Sequence, residues 1–243
     1  MDPEPYLSHL RADGAALLVA ARRAPTSAVP TCPAWDLAKL VRHMGGGHRW
    51  VSEMVRTRAT EMLAFPAAPD AWEDVPPWYE AGLSDLVATL EAAGPGASAW
   101  QFEAMGPGPV RFWFRRMAHE TSVHRWDAEL AVGTARSIDP VLAADGIDEA
   151  LTMLGVRLTA LPEPTLGGSL ALVATDIDFS CTVELAPDHV ERRAGLAGAD
   201  ATVRAGASSL RLWLAGRRLG EAAEVAVEGD GAVAAALGQI PFG

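Results

Sequence analysis

Glu120 and His124 stand four residues apart in the segment "MAHETSVHRWDAE". Within a helix that spacing stacks them one turn apart on one face. A carboxylate and an imidazole so placed can share a metal ion. The segment otherwise reads as a buried helix. On a wheel of roughly 100° per residue from Trp113, Met117 falls at about 40°, Glu120 at about 340°, His124 at about 20° and Ala131 at about 0°. Both ionisable residues thus lie in the middle of the apolar stripe. Burying a carboxylate is costly unless it is paired or coordinates a metal. A hydrogen-bonded Glu–His pair without metal meets the same constraint. His119 is offset by about 100° from Glu120 and about 140° from His124, so it faces elsewhere. The spacing also differs from the HExxH zinc pattern, whose histidines are four apart. Asp127 falls near the Glu120 side, where it can orient a ligand histidine or pair with an arginine.

A third ligand has to come from another helix, and "LVRHMGGGHRWVSEM" offers His43 and His48. They are offset by about 140°, so one ion cannot readily take both. The apolar positions Leu37, Leu40, Val41, Met44, Val51 and Val55 centre near His48. Periodicity therefore favours His48 as the inward histidine, while the broad buried face of a bundle helix keeps His43 open. Gly45, Gly46 and Gly47 are unfavourable inside a helix relative to alanine. Close helix approach or a bound ligand would explain them. A P-loop is excluded, because no strand precedes the run and no Lys-Ser/Thr follows it.

The elements that must position these residues are legible as helices over about 4–24, 36–58, 78–93 and 110–132, with a fifth in "DPVLAADGIDEALTMLGVRLTAL". Asp36 is a suitable N-cap for the second. Pro-rich and Gly-rich stretches separate them. After "LPEPTLGG" the rhythm changes to short strands, "SLALVATD", "FSCTVELA", "ADATVRAG" and "AEVAVEG", with helices in "SSLRLWLAG" and "DGAVAAALGQI". The expected fold class is α+β: a helical bundle over residues 1–160 and a small α/β domain over 161–243.

The chain has 243 residues, 49% of them hydrophobic, enough for a substantial core. Its formal charge of −11 argues against general affinity for nucleic acid or an anionic membrane. No apolar run reaches roughly 18 residues, and "MDPEPYLSHL" lacks the features of a secretory signal. Cys32 and Cys181 do not form a disulfide framework, so a cytoplasmic setting is expected. Both read as structural cysteines, and Trp72, Trp78, Trp100 and Trp113 as packing residues beside the Pro-rich loops. Lys39 is the only lysine, and Ala and Gly are abundant, as in a GC-rich genome.

"TCPAWDLAKLVRHMGGGHRWV" and "HETSVHRWDAE" resemble the two hallmark stretches of the mycothiol-dependent maleylpyruvate isomerase family, within the DinB-like metal-binding superfamily. "DPVLAADGIDEAL" and "ATVRAGASSLRLWLAGRR" resemble the family's C-terminal half. The resemblance implies a DinB-like four-helix bundle and an α/β domain similar to sterol carrier proteins. It also implies a divalent metal, usually zinc, held by His43, Glu120 and His124, with His48 left as a pocket residue or alternative ligand. An arginine of the C-terminal domain is implied near the metal: Arg217 first, with Arg218 and Arg211 beside it. Mycothiol as cofactor and an actinobacterial host follow from the same resemblance. Monomer or weak dimer is the expected state.

Three ligands leave an open coordination position. A thiol activated there could add to an electrophilic substrate and either leave after isomerisation or remain as an S-conjugate. An arginine could hold a substrate carboxylate. A metal-stabilised binding module and a metal hydrolase acting through bound water are the rival expectations.

Overall fold

A computed structural model describes residues 2–158, 167–186, 190–196 and 198–238. Two compact units divide the chain, Met1–Arg136 and Ser137–Gly243. In the first, four helices pack together: α1 (Pro3–Arg23), α2 (Leu37–Thr57), α3 (Val75–Ala93) and α4 (Arg111–Ala131). Helix α1 lies mainly on α4 and α2 mainly on α3, with α1–α3 and α2–α4 contacts closing the set. Their apolar faces meet in a core that includes Leu17, Leu37, Leu40, Val41, Met44, Val75 and Tyr79.

Local chemistry fixes the helix ends. The Asp36 carboxylate accepts from the Lys39 backbone N–H at 2.7 Å and caps α2, as expected for this residue type. Helix α4 ends at Ala131 and is followed, after Val132, by Gly133, whose φ of +72° suits glycine and poorly suits other residues. The "GPGASAWQFEAMGPGP" break is not only loop. Strands β1 (Ser98–Gln101) and β2 (Gly106–Pro109) form an antiparallel hairpin within it.

The second unit opens with α5 (Pro140–Leu158) and continues through β3 (Gly168–Ala174), β4 (Ser180–Leu185), β5 (Val190–Ala194), β6 (Ala201–Ala205), α6 (Ala207–Leu214), β7 (Ala226–Gly229) and α7 (Gly231–Gly238). The five strands run in the order β5-β4-β3-β6-β7, antiparallel except for the β3–β6 pair. Alternation along β6 is clear: Ala201, Val203 and Ala205 are buried, Thr202 and Arg204 are not. The mixed helix and sheet content agrees with the α+β expectation.

The boundary does not fall at residue 160. Helix α5 packs on α6 and β5, so it joins the second unit, and the division comes at 136/137. Amphipathic periodicity says that a helix has a buried face, not which neighbours bury it. Most of the expected linker "LPEPTLGG" lies outside the described residues. Strand β5, "VERRA", was not expected; as a charged edge strand it lacks the apolar alternation that marks a buried one.

Candidate metal centre

His43 comes from the middle of α2, and Glu120 and His124 from successive turns of α4. One ligand atom from each lies within 4.8 Å of the others. The Glu120 Oε1 atom is 3.3 Å from His124 Nε2 and 3.5 Å from His43 Nε2. These separations exceed a good hydrogen bond, but they match the edge of a tetrahedron with bonds of about 2.0–2.1 Å, roughly 3.3–3.4 Å. The donor set, two imidazoles and a carboxylate, suits a divalent metal.

The surroundings fix each donor. His124 Nδ1 lies 2.9 Å from Asp127 Oδ2, and the Thr31 hydroxyl donates to Asp127 Oδ1 at 2.6 Å. With Nδ1 engaged by a fully buried carboxylate, Nε2 is the nitrogen turned to Glu120. Glu120 is held from the other side: the Arg116 guanidinium, one turn earlier on α4, donates to Oε2. Burial works to raise the Glu120 carboxyl. The Arg116 charge and hydrogen bonds from His124 and His43 outweigh it and hold the group well below the usual carboxylate range. Burial likewise lowers His124, but Asp127 and Glu120 together push it up to about 9. The cluster therefore favours positive charge between its carboxylates.

Two aromatic rings flank the centre. Trp35 lies 4.8 Å from the His43 ring and 5.9 Å from that of His124, nearly parallel to the latter. Phe65, half exposed, stacks at 6.3 Å on the His43 ring. The loop carrying Trp35 is tied down by Val29 N–H to Trp35 O and Leu37 N–H to Ser27 O. The Phe65 loop is anchored by Arg42, which donates to Pro69 O at 2.8 Å and Asp70 O at 2.6 Å. The glycine run also has its explanation here. A Cβ on Gly45 would lie 2.3 Å from the Trp78 ring, and one on Gly46 2.4 Å from Phe65. Close approach of aromatic rings, not a phosphate, occupies that space.

His48 is inward, as its periodicity indicated, but it does not join the ligands. It is fully buried, 5.0 Å from the Tyr79 ring, and neither ring nitrogen has a hydrogen-bond partner. His43 is the histidine that reaches Glu120, with its side chain 37% exposed. Periodicity reported the burial of His48 correctly, and it is the less buried His43 that groups with Glu120 and His124. His119 is buried too and meets Tyr6 edge-on at 6.0 Å.

Arg217 follows α6 in the second unit, buried, with Nη1 donating to Ala215 O at 2.6 Å. Arg218 sits over the Trp213 ring and donates to Trp213 O at 2.6 Å. Arg211 lies 4.0 Å from Glu149, both buried. Cys32 packs against the core of the first unit, and burial pushes the Cys181 thiol up to about 11. Trp113 donates to Trp100 O at 2.8 Å within an aromatic cluster, and Trp78 carries Arg49 on its face at 4.3 Å. Both roles are packing. Arg116, Thr31, Trp35 and Phe65 were not singled out from sequence. Only Arg116 had a readable signal, its i,i+4 spacing to Glu120.

A family model for the mycothiol maleylpyruvate isomerase N-terminal domain matches residues 7–129, and one for the C-terminal domain of the same family matches residues 141–236. Uncharacterized proteins of Mycobacterium tuberculosis strains CDC 1551 / Oshkosh and H37Rv are each 28% identical over 164 residues, 66% of this chain and 85% of the relative. Among solved structures, the mycothiol-dependent maleylpyruvate isomerase and a histidine-to-alanine mutant of it superpose with TM-scores of 0.62 and 0.63. Each does so at 14% identity over 95% of both chains, a likeness of fold. With both halves matched in order, the chain belongs to the mycothiol maleylpyruvate isomerase family, an enzyme family.

Proposed function

We propose that this protein is a metal- and mycothiol-dependent enzyme that acts on a small electrophilic substrate by thiolate addition, ending in isomerisation or S-transfer. The observation that carries the proposal is the convergence of His43, Glu120 and His124, whose donor atoms lie within 4.8 Å of one another. His43, Glu120 and His124 would hold a divalent metal, zinc in the first instance, which when bound would supply a Lewis acid able to lower the pKa of a thiol. The chain's own residues do the rest. Asp127 and Thr31 hold the His124 imidazole by Nδ1, keeping Nε2 available. Trp35 and Phe65 give the site apolar flanks that limit water beside a reacting thiol. Substrate carboxylate binding by Arg217 is part of the proposal. Its hydrogen bond to Ala215 O makes it a helix-end group as well, so kinetics must separate the two roles.

The family membership supports the thiol, and the mycobacterial relatives support an actinobacterial setting. The test is a screen of metal-loaded protein with mycothiol and candidate electrophiles, including cis-configured unsaturated dicarboxylates, read by mass spectrometry. Products should form only when thiol is present. Full-rate turnover of a substrate without thiol would contradict the proposal and indicate a hydrolase acting through water.

A further inference from the structure

The two oxygens of Glu120 have different neighbours. Oε1 faces both histidines, at 3.3 and 3.5 Å, whereas Oε2 is taken by the Arg116 guanidinium from the same helix. We infer that Arg116 is a positioning residue that makes Glu120 a one-oxygen ligand and so keeps the fourth coordination position open. The inference rests on the metal site proposed above and adds the mode of carboxylate binding.

The physical case starts from the carboxylate. An unrestrained glutamate beside a divalent ion can bind through one oxygen or both. Binding through both would fill a position that a thiol needs. A guanidinium on Oε2 opposes that in two ways. It occupies the oxygen with a charge-assisted hydrogen bond, and its positive charge repels an ion that moves toward that side. Arg116 is well placed to do so persistently. It is one helical turn from Glu120, and its side chain is only 18% exposed, so water competes weakly for the contact. It also offsets the negative charge of Glu120, which leaves a bound metal more electron-demanding toward a thiol.

Cobalt substitution reads the carboxylate mode directly, because four-coordinate Co²⁺ absorbs visible light several-fold more strongly than five- or six-coordinate Co²⁺. Purified apoprotein would be titrated with Co²⁺ alone, for the wild type and for Arg116→Met, Arg116→Lys and Arg116→Gln. Wild type should give the strong band. Arg116→Met should give a several-fold weaker, shifted band as the second oxygen joins the ion. Arg116→Lys should recover part of the intensity by restoring a donor and charge. Should Arg116→Met fail to fold by circular dichroism, Arg116→Gln, too short to span to Oε2, is judged on the same criterion. A wild-type spectrum in the folded, Co²⁺-bound variant would overturn the inference. Loss of Co²⁺ binding by a folded variant would also overturn it, since the inference requires the second oxygen to join an ion that stays bound. A wild-type protein that binds no Co²⁺ at these residues would instead refute the metal site itself.

Discussion

Helix α4 carries two polar clusters in the same stretch, and they are built differently. At Arg125 and Glu129 the charges close on themselves. Arg125 donates to Asp13 at 3.2 Å and to Glu129 at 2.8 Å, and Arg136 donates to Glu129 through its backbone N–H and its side chain. Two cations answer two carboxylates at hydrogen-bond distances, and both Arg125 and Glu129 are buried. At Glu120 and His124 the polar atoms converge instead at 3.3 and 3.5 Å, too far for strong hydrogen bonds, and the site is partly open. The first cluster is complete without anything added. The second leaves its facing donor atoms at separations that suit the proposed metal. Distance, not residue type, distinguishes a structural ion network from a candidate ligand set.

The sharpest way to break the comparison is to damage each cluster separately. Glu129→Ala leaves Arg125 buried without one of its two carboxylate partners and should destabilise the fold by about 3–5 kcal/mol in chemical denaturation. Metal content of the folded fraction should not change. A fall in metal content at unchanged stability would invert the roles assigned to the two clusters.

Asp127→Asn should do the reverse. It removes the charge behind His124 Nδ1 while keeping the shape, so metal affinity should weaken about 10–100-fold in a chelator competition. Unchanged affinity would mean that Asp127 serves folding alone.

His48 offers a third, smaller effect, because it is a buried polar group belonging to neither cluster. Burial first, then the Arg49 and His43 charges, lower its pKa to about 3. The unfolded chain therefore takes up a proton below about pH 6.5 that the folded chain refuses, and stability falls as pH drops. The slope from this group is about 1.4 kcal/mol per pH unit between pH 6.5 and 3. His48→Leu should flatten the loss between pH 7 and 5 by about 2 kcal/mol. Equal losses in both proteins would show that His48 is not protected from protonation.

Much of the site was legible because helices obey a simple period. Glu120 and His124 share a face by spacing, and the Asp36 cap and the burial of His48 followed from local rules. The grouping of His43 with Glu120 and His124 did not follow from local rules, because periodicity ranks positions by burial and His43 is only partly buried. The glycine run was visible as an anomaly, but its cause lies in Trp78 and Phe65, distant in sequence. Helix α5 was legible as a helix and not as a member of the second unit, since its partners α6 and β5 come later in the chain. The loops bringing Thr31, Trp35 and Phe65 to the centre depend on backbone contacts that carry no periodic signal.

The most direct test of the central claim is the metal content of five purified proteins: wild type, His43→Ala, Glu120→Ala, His124→Ala and His48→Leu. The account predicts about one divalent ion per chain in the wild type and in His48→Leu, and loss of it in the other three with the fold retained. Full metal retention in Glu120→Ala and His124→Ala would contradict it, as would loss in His48→Leu with retention in His43→Ala.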